Sequence, residues 1–297
     1  MNTKSITLLL ATAIVLTVYI VGLPSPKPEI PVVVPKPTHK PSVTVDAEAQ
    51  RRERRRELQE EEAQDSTRLT DVLIEARKIA DEHAAEGDFE VSYTVGHEEE
   101  GEIIVEINSA YFFSSQFRHL IIRRWGVGEM NIDIFLRRNE KYVPVLAHSQ
   151  WGMTYINDTL QDVNGDGRKD FVVNGYGASG CCLKAFRDVY LLRPDGRSFS
   201  KGFWFINPTF APRERVVRGV CYGHIGETEM YKFRWKGESL DTLAYIAFEK
   251  DSLGEKTGKF VESKEQYGKP HRILPTMPAE YTSIEGYDWF LGNFQGD

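Results

Sequence analysis

Cysteine is scarce in this chain: the 297 residues include only Cys181, Cys182 and Cys221. An odd number leaves at least one thiol free or bonded to another chain. Adjacent cysteines rarely bond to each other, because disulfide geometry fits poorly across one peptide bond. In an exported domain, Cys221 is therefore expected to pair with Cys181 or Cys182. The alternative is a zinc site that adds His224, but these residues lack the paired spacing typical of structural zinc sites.

The sequence also lacks the motifs of common hydrolases. Gly177-Ala178-Ser179-Gly180 does not fit the Gly-x-Ser-x-Gly pattern of a nucleophile elbow. His97 has no second histidine at helical spacing, so no zinc-protease motif is present. The polar pair Glu227 and Glu229 is expected to lie in a solvated turn. His119, His148 and His224 lie among apolar and aromatic residues, and each is expected to be a core or surface histidine with its hydrogen bonds satisfied. No catalytic residue is assigned.

The chain also has no excess of positive charge. The formal net charge is −7, which argues against nucleic acid as a partner. The basic cluster Arg51–Arg56 is followed by several glutamates, so a solvated helix face is the expected environment. Aromatic residues make up 11% of the chain and fall almost entirely after residue 88. Only that part of the chain can build a large core.

The chain has a single long apolar run, Ile6 to Leu23, which contains 18 residues and no charged side chain. This length is near the lower limit for a transmembrane helix and slightly long for the core of a signal peptide. No small-x-small cleavage site follows before Pro24, and no cysteine is available for a lipoprotein anchor. We expect residues 1–23 to be an uncleaved membrane anchor, with a cleaved signal sequence as the alternative.

The orientation of this anchor is predicted from the size of the domain that follows it. Lys27, Lys36 and Lys40 follow the apolar run, whereas Lys4 precedes it. The positive-inside rule alone would keep the C-terminal part in the cytoplasm, but large domains translocate largely regardless of charge. A calcium loop, described below, suits a calcium-rich compartment. We therefore expect a membrane-anchored protein of the cell envelope whose C-terminal domain is periplasmic or extracellular.

Two segments of unusual composition follow the anchor. Residues 24–45 contain seven of the chain's fourteen prolines and are expected to form an extended, semi-rigid linker. Residues 46–87 contain no glycine or proline before Gly87, which predicts a helical stalk. Its second half has an apolar stripe at i, i+3, i+4 and i+7 spacing, made of Leu69, Val72, Leu73, Ala76, Ile79 and Ala80. This stripe is expected to dock onto the C-terminal domain.

Residues 88–297 have the pattern of short strands separated by turns. Ile103, Val105 and Ile107 alternate with polar residues, as expected for a strand with one buried face. Further strands are predicted at 120–122, 132–136, 143–147, 189–192, 216–222, 230–235 and 243–248. The fold class is therefore mainly β, with a propeller-like or sandwich domain. The aromatic tail, residues 283–294, is expected to pack back onto this domain.

The segment Asp162–Asp170 has the pattern of a calcium-binding loop. Oxygen-bearing side chains occupy positions 1, 3, 5 and 9, and these are Asp162, Asn164, Asp166 and Asp170. Ca²⁺ prefers six to eight oxygen ligands, and the backbone carbonyl of Arg168 would add one more. Gly167 would permit a positive φ. Position 12 is Val173, not glutamate, and a strand follows the loop, so the segment is not an EF-hand. The alternative is a glycine-rich hairpin turn without a metal.

The loop and the segments after it resemble calcium-binding β-propeller-type proteins of the bacterial envelope. The resemblance covers roughly residues 88 to 265 and is carried by Asp162–Asp170, Gly175-Tyr176-Gly177, Val189–Leu192, Gly196–Phe199 and Asn207-Pro208. It implies a structural calcium ion. Some members of this group are related to lysozyme inhibitors, which insert a loop into the cleft of the enzyme, but no residues here identify such a loop. The Cys181-Cys182 pair and the helical stalk depart from the inhibitors. The layout is also similar to that of membrane-anchored bacterial proteins for which no activity follows.

Two functions remain open from the sequence. The first is a non-enzymatic binding module stabilised by Ca²⁺, such as a lysozyme inhibitor or a surface-recognition protein. The second is an envelope hydrolase that acts on glycan or peptide. A deep cleft lined by two carboxylates would favour the hydrolase, because glycosidases use such a pair. A flat aromatic face or a protruding loop would favour the binding module.

Overall fold

The computed structural model describes residues 45–97, 101–126, 128–180 and 182–293. The expected anchor, residues 1–23, and nearly all of the expected linker lie outside the described residues, as do Cys181 and Phe294. In the described part of the chain, no helix is both long enough and apolar enough to cross a membrane. The anchor therefore stays a prediction.

The described residues are mainly β and form three antiparallel sheets, and within each sheet the strands that are consecutive in sequence pair with each other. The first sheet contains β1 (Phe89–Val95), β2 (Ile103–Ala110), β3 (His119–Gly126), β4 (Glu129–Arg138) and β5 (Lys141–Trp151). The second contains β6 (Tyr155–Gln161), β7 (Asp170–Tyr176), β8 (Ala185–Tyr190) and β9 (Phe203–Ile206). The third contains β10 (Pro208–Ala211), β11 (Val216–Val220), β12 (Met230–Lys236), β13 (Ser239–Lys250), β14 (Lys256–Ser263) and β15 (Arg272–Leu274).

The helices lie at the two ends of the described chain and between strands. Helix α1 spans Val45–Glu82 and α2 spans Tyr287–Leu291. Short 3₁₀ helices occupy Gly152–Thr154, Pro212–Glu214 and Ala279–Tyr281. The helix predicted over residues 46–87 is present but ends earlier, at Glu82. The chain turns there toward β1, with Gly87 at a φ of 91°, which a residue without a Cβ adopts readily.

The chain divides into two compact units, residues 1–55 and 56–297. In the first unit, the described residues are the beginning of α1, and residues 48–55 are exposed. The second unit holds the remainder of α1, the three sheets and the C-terminal tail. The sequence pattern predicts a boundary between the helical stalk and the β domain at residue 88. The structural boundary lies earlier because the apolar stripe of α1 belongs to the core of the β unit.

Docking of this stripe onto the first sheet confirms the sequence prediction. Four of its residues are buried, Leu69, Val72, Ala76 and Ala80, and they share a cluster with Ile103, Val105, Ile107, Leu120, Ile122, Phe135 and Tyr142. The Arg124 guanidinium adds a polar tie: it donates to the Leu69 carbonyl and, at 2.5 Å, to a carboxylate oxygen of Asp133. Apolar burial and the hydrogen bond from Arg124 to Leu69 therefore both hold the second half of α1 against the sheet, and the ion pair with Asp133, which lies within the sheet, orients the guanidinium.

The three sheets pack face to face. One apolar cluster joins the first and second sheets and includes Ile121, Met130, Ile132, Ile134, Phe171 and Val173. Another joins the second and third sheets and includes Val172, Val189, Phe205, Val217, Tyr231 and Trp235. The second sheet is thus covered on both sides, and this explains the β-branched run of β7. Phe171 and Val173 contact the first sheet, whereas Val172 faces the third.

Asn207 marks the passage from the second sheet to the third. Its φ is 46°, a left-handed conformation that asparagine tolerates better than most residues. The side chain is fully buried, and its amide nitrogen donates to the carbonyls of Leu183, at 3.1 Å, and Val220, at 3.0 Å. These bonds hold the corner between β9 and β10.

The aromatic tail packs on the outer face of the third sheet, as expected. Tyr281, Ile284, Trp289 and Phe290 are buried with residues of β12, β13 and β14. Phe290 stacks on Phe248, with ring centroids 4.8 Å apart. The third sheet is therefore also covered on both sides.

Candidate metal-binding loop and polar cleft

The candidate calcium loop is the hairpin connection between β6 and β7. Gln161 and Asp170 are paired across the ladder, and residues 162–169 form the turn between them. Because β7 is buried between two sheets, the last residue of the loop enters the protein interior: Asp170 is fully buried. The strand that the sequence placed after the loop is therefore present, and it fixes one end of the candidate site.

Asp162 holds the first half of the loop through its carboxylate. Oδ1 accepts hydrogen bonds from the backbone N–H groups of Gly165, at 2.6 Å, and Asp166, at 3.3 Å. Oδ2 accepts from the Gly167 N–H at 2.9 Å. Asn164 and Asp166 also contact each other, with the Asn164 amide donating to Asp166 Oδ2 at 3.0 Å. Three of the four predicted oxygen ligands are thus gathered in one turn.

Asp170 anchors the second half of the loop. Its Oδ2 accepts from the Val163 N–H at 3.1 Å, and its Oδ1 accepts from the Leu192 N–H at 2.9 Å. Burial raises the pKa of this carboxyl to about 7, the two backbone donors oppose that rise, and the charges of Asp166 and Asp162 add to it. The loop therefore concentrates like charge around a buried carboxyl group, and a bound cation would relieve that repulsion.

Arg168 has a role that the sequence did not indicate. Its backbone carbonyl was predicted as a ligand, but the structure also shows its side chain across the loop. The guanidinium lies 2.5 Å from Asp166 Oδ2 and donates to the Leu192 carbonyl at 3.2 Å. No group of three or more His, Cys, Asp or Glu side chains is arranged as a metal site among the described residues. The oxygen donor set suits Ca²⁺, but Asp166 would have to exchange the guanidinium for the ion.

Two glycines shape the loop for different reasons. Gly167 has the predicted positive φ, 84°, and a Cβ at this position would meet no atom within 4 Å. Gly165 also has a positive φ, 75°, but a Cβ there would lie 2.0 Å from the Pro212 carbonyl oxygen. Gly165 is therefore the position where the loop closely approaches the segment between β10 and β11, and no local pattern pointed to this contact.

A polar cleft with a volume of about 730 Å³ lies beside the second sheet. Amide and hydroxyl groups dominate its wall, together with one arginine and one carboxylate; the polar lining residues are Asn157, Thr159, Gln161, Asn174, Arg187, Thr209, Ser283 and Glu285. Asn174, near the end of β7, donates to Asn157 Oδ1 at 2.6 Å. The cleft has a single carboxylate, from Glu285, and so lacks the pair that glycosidases use.

The cysteines show no bond between Cys182 and Cys221, and both are buried. Burial raises the pKa of the Cys221 thiol to about 12, and the charge of Glu229 adds to the rise. Pairing of Cys221 with Cys181 stays a prediction, because Cys181 lies outside the described residues. Within those residues, no zinc-type cluster forms around Cys221.

The histidine and glutamate expectations were partly wrong. His148 is buried with partners for both ring nitrogens, as expected, whereas His119 is buried and neither of its ring nitrogens has a hydrogen-bond partner among the described residues. Glu227 lies at the surface, 2.6 Å from Lys250, as a solvated turn predicts. Glu229 does not: it is only 7% exposed, because the chain after β14 folds over it and the Tyr267 N–H donates to its carboxylate at 3.0 Å.

Sequence reasoning also missed a polar contact between the first and second sheets. His148 on β5 lies 2.9 Å from the Tyr190 hydroxyl through Nδ1 and 2.9 Å from Gln150 Oε1 through Nε2. Burial raises the pKa of Tyr190 to about 12, and Asp188 adds to this effect. Nothing in the local sequence joins these residues, since their proximity depends on sheet packing.

No family model matches the chain, and comparisons with curated proteins and with solved structures found no match either. The resemblance to calcium-binding envelope proteins therefore rests on the motif residues alone.

Proposed function

We propose that this protein is a non-enzymatic binding module of the bacterial cell envelope, stabilised by Ca²⁺. The observation that carries the proposal is the composition of the polar cleft beside the second sheet. It has a volume of about 730 Å³ and is lined by several amides and hydroxyls but by only one carboxylate. Such a surface offers donors and acceptors for recognition but no acid and base pair for glycoside hydrolysis.

In this proposal Ca²⁺ has a structural role at the β6–β7 loop. Asp162, Asn164, Asp166 and Asp170 would bind it by their side chains, and Arg168 by its backbone carbonyl. The ion would neutralise carboxylates that otherwise repel one another around the buried Asp170. The residues themselves hold the loop: Asp162 binds three backbone N–H groups, and Asp170 ties the loop to Leu192.

The proposed domain type is propeller-like. Three consecutive antiparallel meanders that stack face to face support this arrangement, since propeller blades are consecutive meanders of this kind. The two-sheet sandwich, the other expectation, fits less well because the described residues form three sheets. The proposed location is outside the cytoplasm, with residues 1–23 as the membrane anchor and residues 24–45 as the linker.

Lysozyme is the specific protein partner that the resemblance implies. A thermal melt of the full-length chain in detergent tests both parts of the proposal, with calcium, with chelator, and with calcium plus a panel of lysozymes. A ligand at 100 times its Kd stabilises the folded state by about 2.7 kcal/mol. A shift with calcium supports the ion site, and a further shift with one lysozyme supports inhibition. Absence of any lysozyme response would rule out this partner for the panel used.

The hydrolase alternative is distinguished by incubating the same protein with peptidoglycan and with envelope peptides. Release of new reducing ends or new amino groups above a buffer control would contradict the binding-module proposal. The melt should use a chain that retains α1. Truncation at residue 88 would expose the face of the first sheet that Leu69, Val72 and Ala76 cover.

A further inference from the structure

An aromatic pocket of about 270 Å³ lies between the edge of the second sheet and the third sheet. Its lining consists of Trp204, Phe205, Ile206, Cys221, Tyr222, Tyr231, Phe233, Tyr245 and Gln266. The lining contains no basic residue. The pocket is separate from the candidate calcium loop and from the polar cleft beside the second sheet, and neither the motif residues nor the proposed function uses it.

Aromatic rings from the third sheet build one wall of this pocket. Tyr231 stacks on Phe233 with ring centroids 4.6 Å apart, and Phe233 meets Tyr245 edge to face at 6.0 Å. The Tyr231 hydroxyl donates to the Ile206 carbonyl at 2.9 Å and so ties this wall to β9. The ring lies over Gly219, where a Cβ would come within 2.4 Å of it. The wall is therefore held in a defined position.

Strand register places the Glu229 side chain on the same face as these rings. Tyr231 pairs with Gly219 and Met230 with Val220, and the Cys221 N–H donates to the Glu229 carbonyl at 2.8 Å one position further along. Side chains two residues apart on a strand point to the same side. Glu229 directly precedes β12 and Cys221 directly follows β11, so by this rule Glu229 shares its face with Tyr231 and, one position beyond the ladder, with Cys221. Both of those residues line the pocket, and Glu229 adjoins that lining without being part of it.

The Glu229 carboxylate is buried without a cation. The residue is 7% exposed, and Oε2 accepts one hydrogen bond, from the Tyr267 N–H. Among the described residues no Lys, Arg or His side chain forms an ion pair with it. Burial raises its pKa, and its charge adds to the raised pKa of both Cys221 and Tyr245. Buried carboxylates are normally paired, so this group lacks a partner that a ligand could supply.

We infer that this pocket binds an organic cation, an ammonium group on a short aliphatic stem. The rings offer π faces that attract a cation, and the carboxylate supplies the opposite charge. The apolar walls suit methyl or methylene groups and a solvated metal ion less well. The ammonium group belongs either to a free small amine or to a lysine side chain of a protein partner. The inference goes beyond the proposed function and does not depend on it.

The test measures binding of choline and of its uncharged isostere, in which carbon replaces the quaternary nitrogen. Ligand-observed NMR on the full-length protein follows the single sharp methyl signal of each compound. Choline is expected to bind at least about tenfold more tightly than the isostere. Equal affinities would show a merely apolar pocket and overturn the inference, and so would absence of binding by both compounds.

Two variants and one control separate the charge from the shape of the pocket. Glu229→Gln keeps the shape and should remove the preference for choline, whereas Glu255→Gln, at an exposed position, should preserve it. Phe233→Leu should weaken choline binding and leave the isostere nearly unaffected, which provides a second test if Glu229→Gln does not fold. An unchanged preference in both pocket variants would contradict the inference.

A further arm distinguishes the two sources of the ammonium group. Choline is compared with an N-acetylated lysine methylamide, with and without methylation of the side-chain amine. Tighter binding of the lysine compounds would identify a protein partner, and tighter binding of choline a free amine. Repeating the titration with chelator tests independence from calcium, since the preference should persist even if the calcium proposal fails.

Discussion

Arg123 on β3 and Asp158 on β6 form a two-pronged ion pair that joins the first sheet to the second. Nε lies 2.7 Å from Oδ2, and Nη2 lies 2.6 Å from Oδ1. Tyr155 donates to the same carboxylate at 2.9 Å, and Arg123 also donates to Asn108 Oδ1 at 2.8 Å. The Asp158 side chain is only 4% exposed, so its carboxylate is stabilised by these protein groups and not by water. The packing of the two sheets therefore depends on a polar contact as well as on apolar residues.

Substitution Asp158→Ala is expected to destabilise the fold by about 3 kcal/mol, because it leaves the mostly buried Arg123 guanidinium without its counter-charge. The double variant Arg123→Met with Asp158→Leu should lose less unfolding free energy than Asp158→Ala alone, because it leaves no buried charge unpaired. Urea unfolding measures all three. As a control, Glu238→Ala breaks the exposed two-pronged pair with Arg193 and should leave the midpoint nearly unchanged. Equal losses at Asp158 and Glu238 would contradict this account.

Substitution Asp166→Ala should abolish calcium-dependent stabilisation. Asp166 is a proposed ligand, and its contacts in the structure are local to the loop. Thermal melts in calcium and in chelator should therefore coincide for the variant and differ for the wild type. Asp195→Ala removes a carboxylate that accepts from the N–H groups of Arg197 and Ser198 in another turn, and it should retain the calcium shift. A calcium shift of wild-type size in Asp166→Ala would exclude the assignment.

The two loop glycines are expected to respond differently to alanine. At Gly167 the added Cβ meets open space, so only the positive φ is strained, at a cost of about 1 kcal/mol. At Gly165 the Cβ would also meet the Pro212 carbonyl, and the loop must shift, which adds about 2 kcal/mol. Urea midpoints of the two variants compare these losses. A larger loss in Gly167→Ala would show that the approach to Pro212 is not a constraint.

His119 should make the fold sensitive to acid. The ring is fully buried, and burial lowers its pKa to about 4, offset in small part by the nearby Phe117 backbone. In the unfolded chain the pKa is about 6.5, so the unfolded state takes up the proton first. Stability present above pH 6.5 is therefore lost as the pH falls toward 4, by about 2 kcal/mol at pH 5.

Urea unfolding at pH 7.5 and at pH 5 tests this prediction. The loss of unfolding free energy between pH 7.5 and pH 5 should be smaller in His119→Leu, because leucine cannot take up a proton. It should persist in His271→Leu, because His271 is exposed and lies beside Glu262. An identical pH dependence in wild type and His119→Leu would assign the effect to other groups.

Substitution Phe290→Ala should cost about 4 kcal/mol, since a fully buried phenyl ring is removed from a packed cluster. Leu253→Ala, at a side chain 85% exposed, is the matched surface control and should change the midpoint little. Urea unfolding of both variants checks the difference. A small loss at Phe290 would mean that the tail contributes little to the stability of the third sheet.

The sequence alone determined the features whose residues are close together in the chain. The apolar stripe of α1 follows from helical spacing, and the alternation in β2 follows from strand spacing. The candidate loop was recognised because its oxygen-bearing side chains lie within nine residues. Six strands escaped prediction: β1, β6, β9, β10, β14 and β15. Two of them, β9 and β10, have only four residues each, and the turn between them is set by the buried Asn207.

Tertiary structure alone decided which distant residues meet. Arg123 and Asp158 are 35 positions apart, and Gly165 approaches Pro212 only because the second and third sheets stack. The chain after β14 folds over Glu229 and buries it, against the sequence expectation of a solvated turn. Spacing along a helix or strand selects which face of that element a side chain occupies. What lies opposite that face depends on the packing of elements remote in sequence, which no local pattern records.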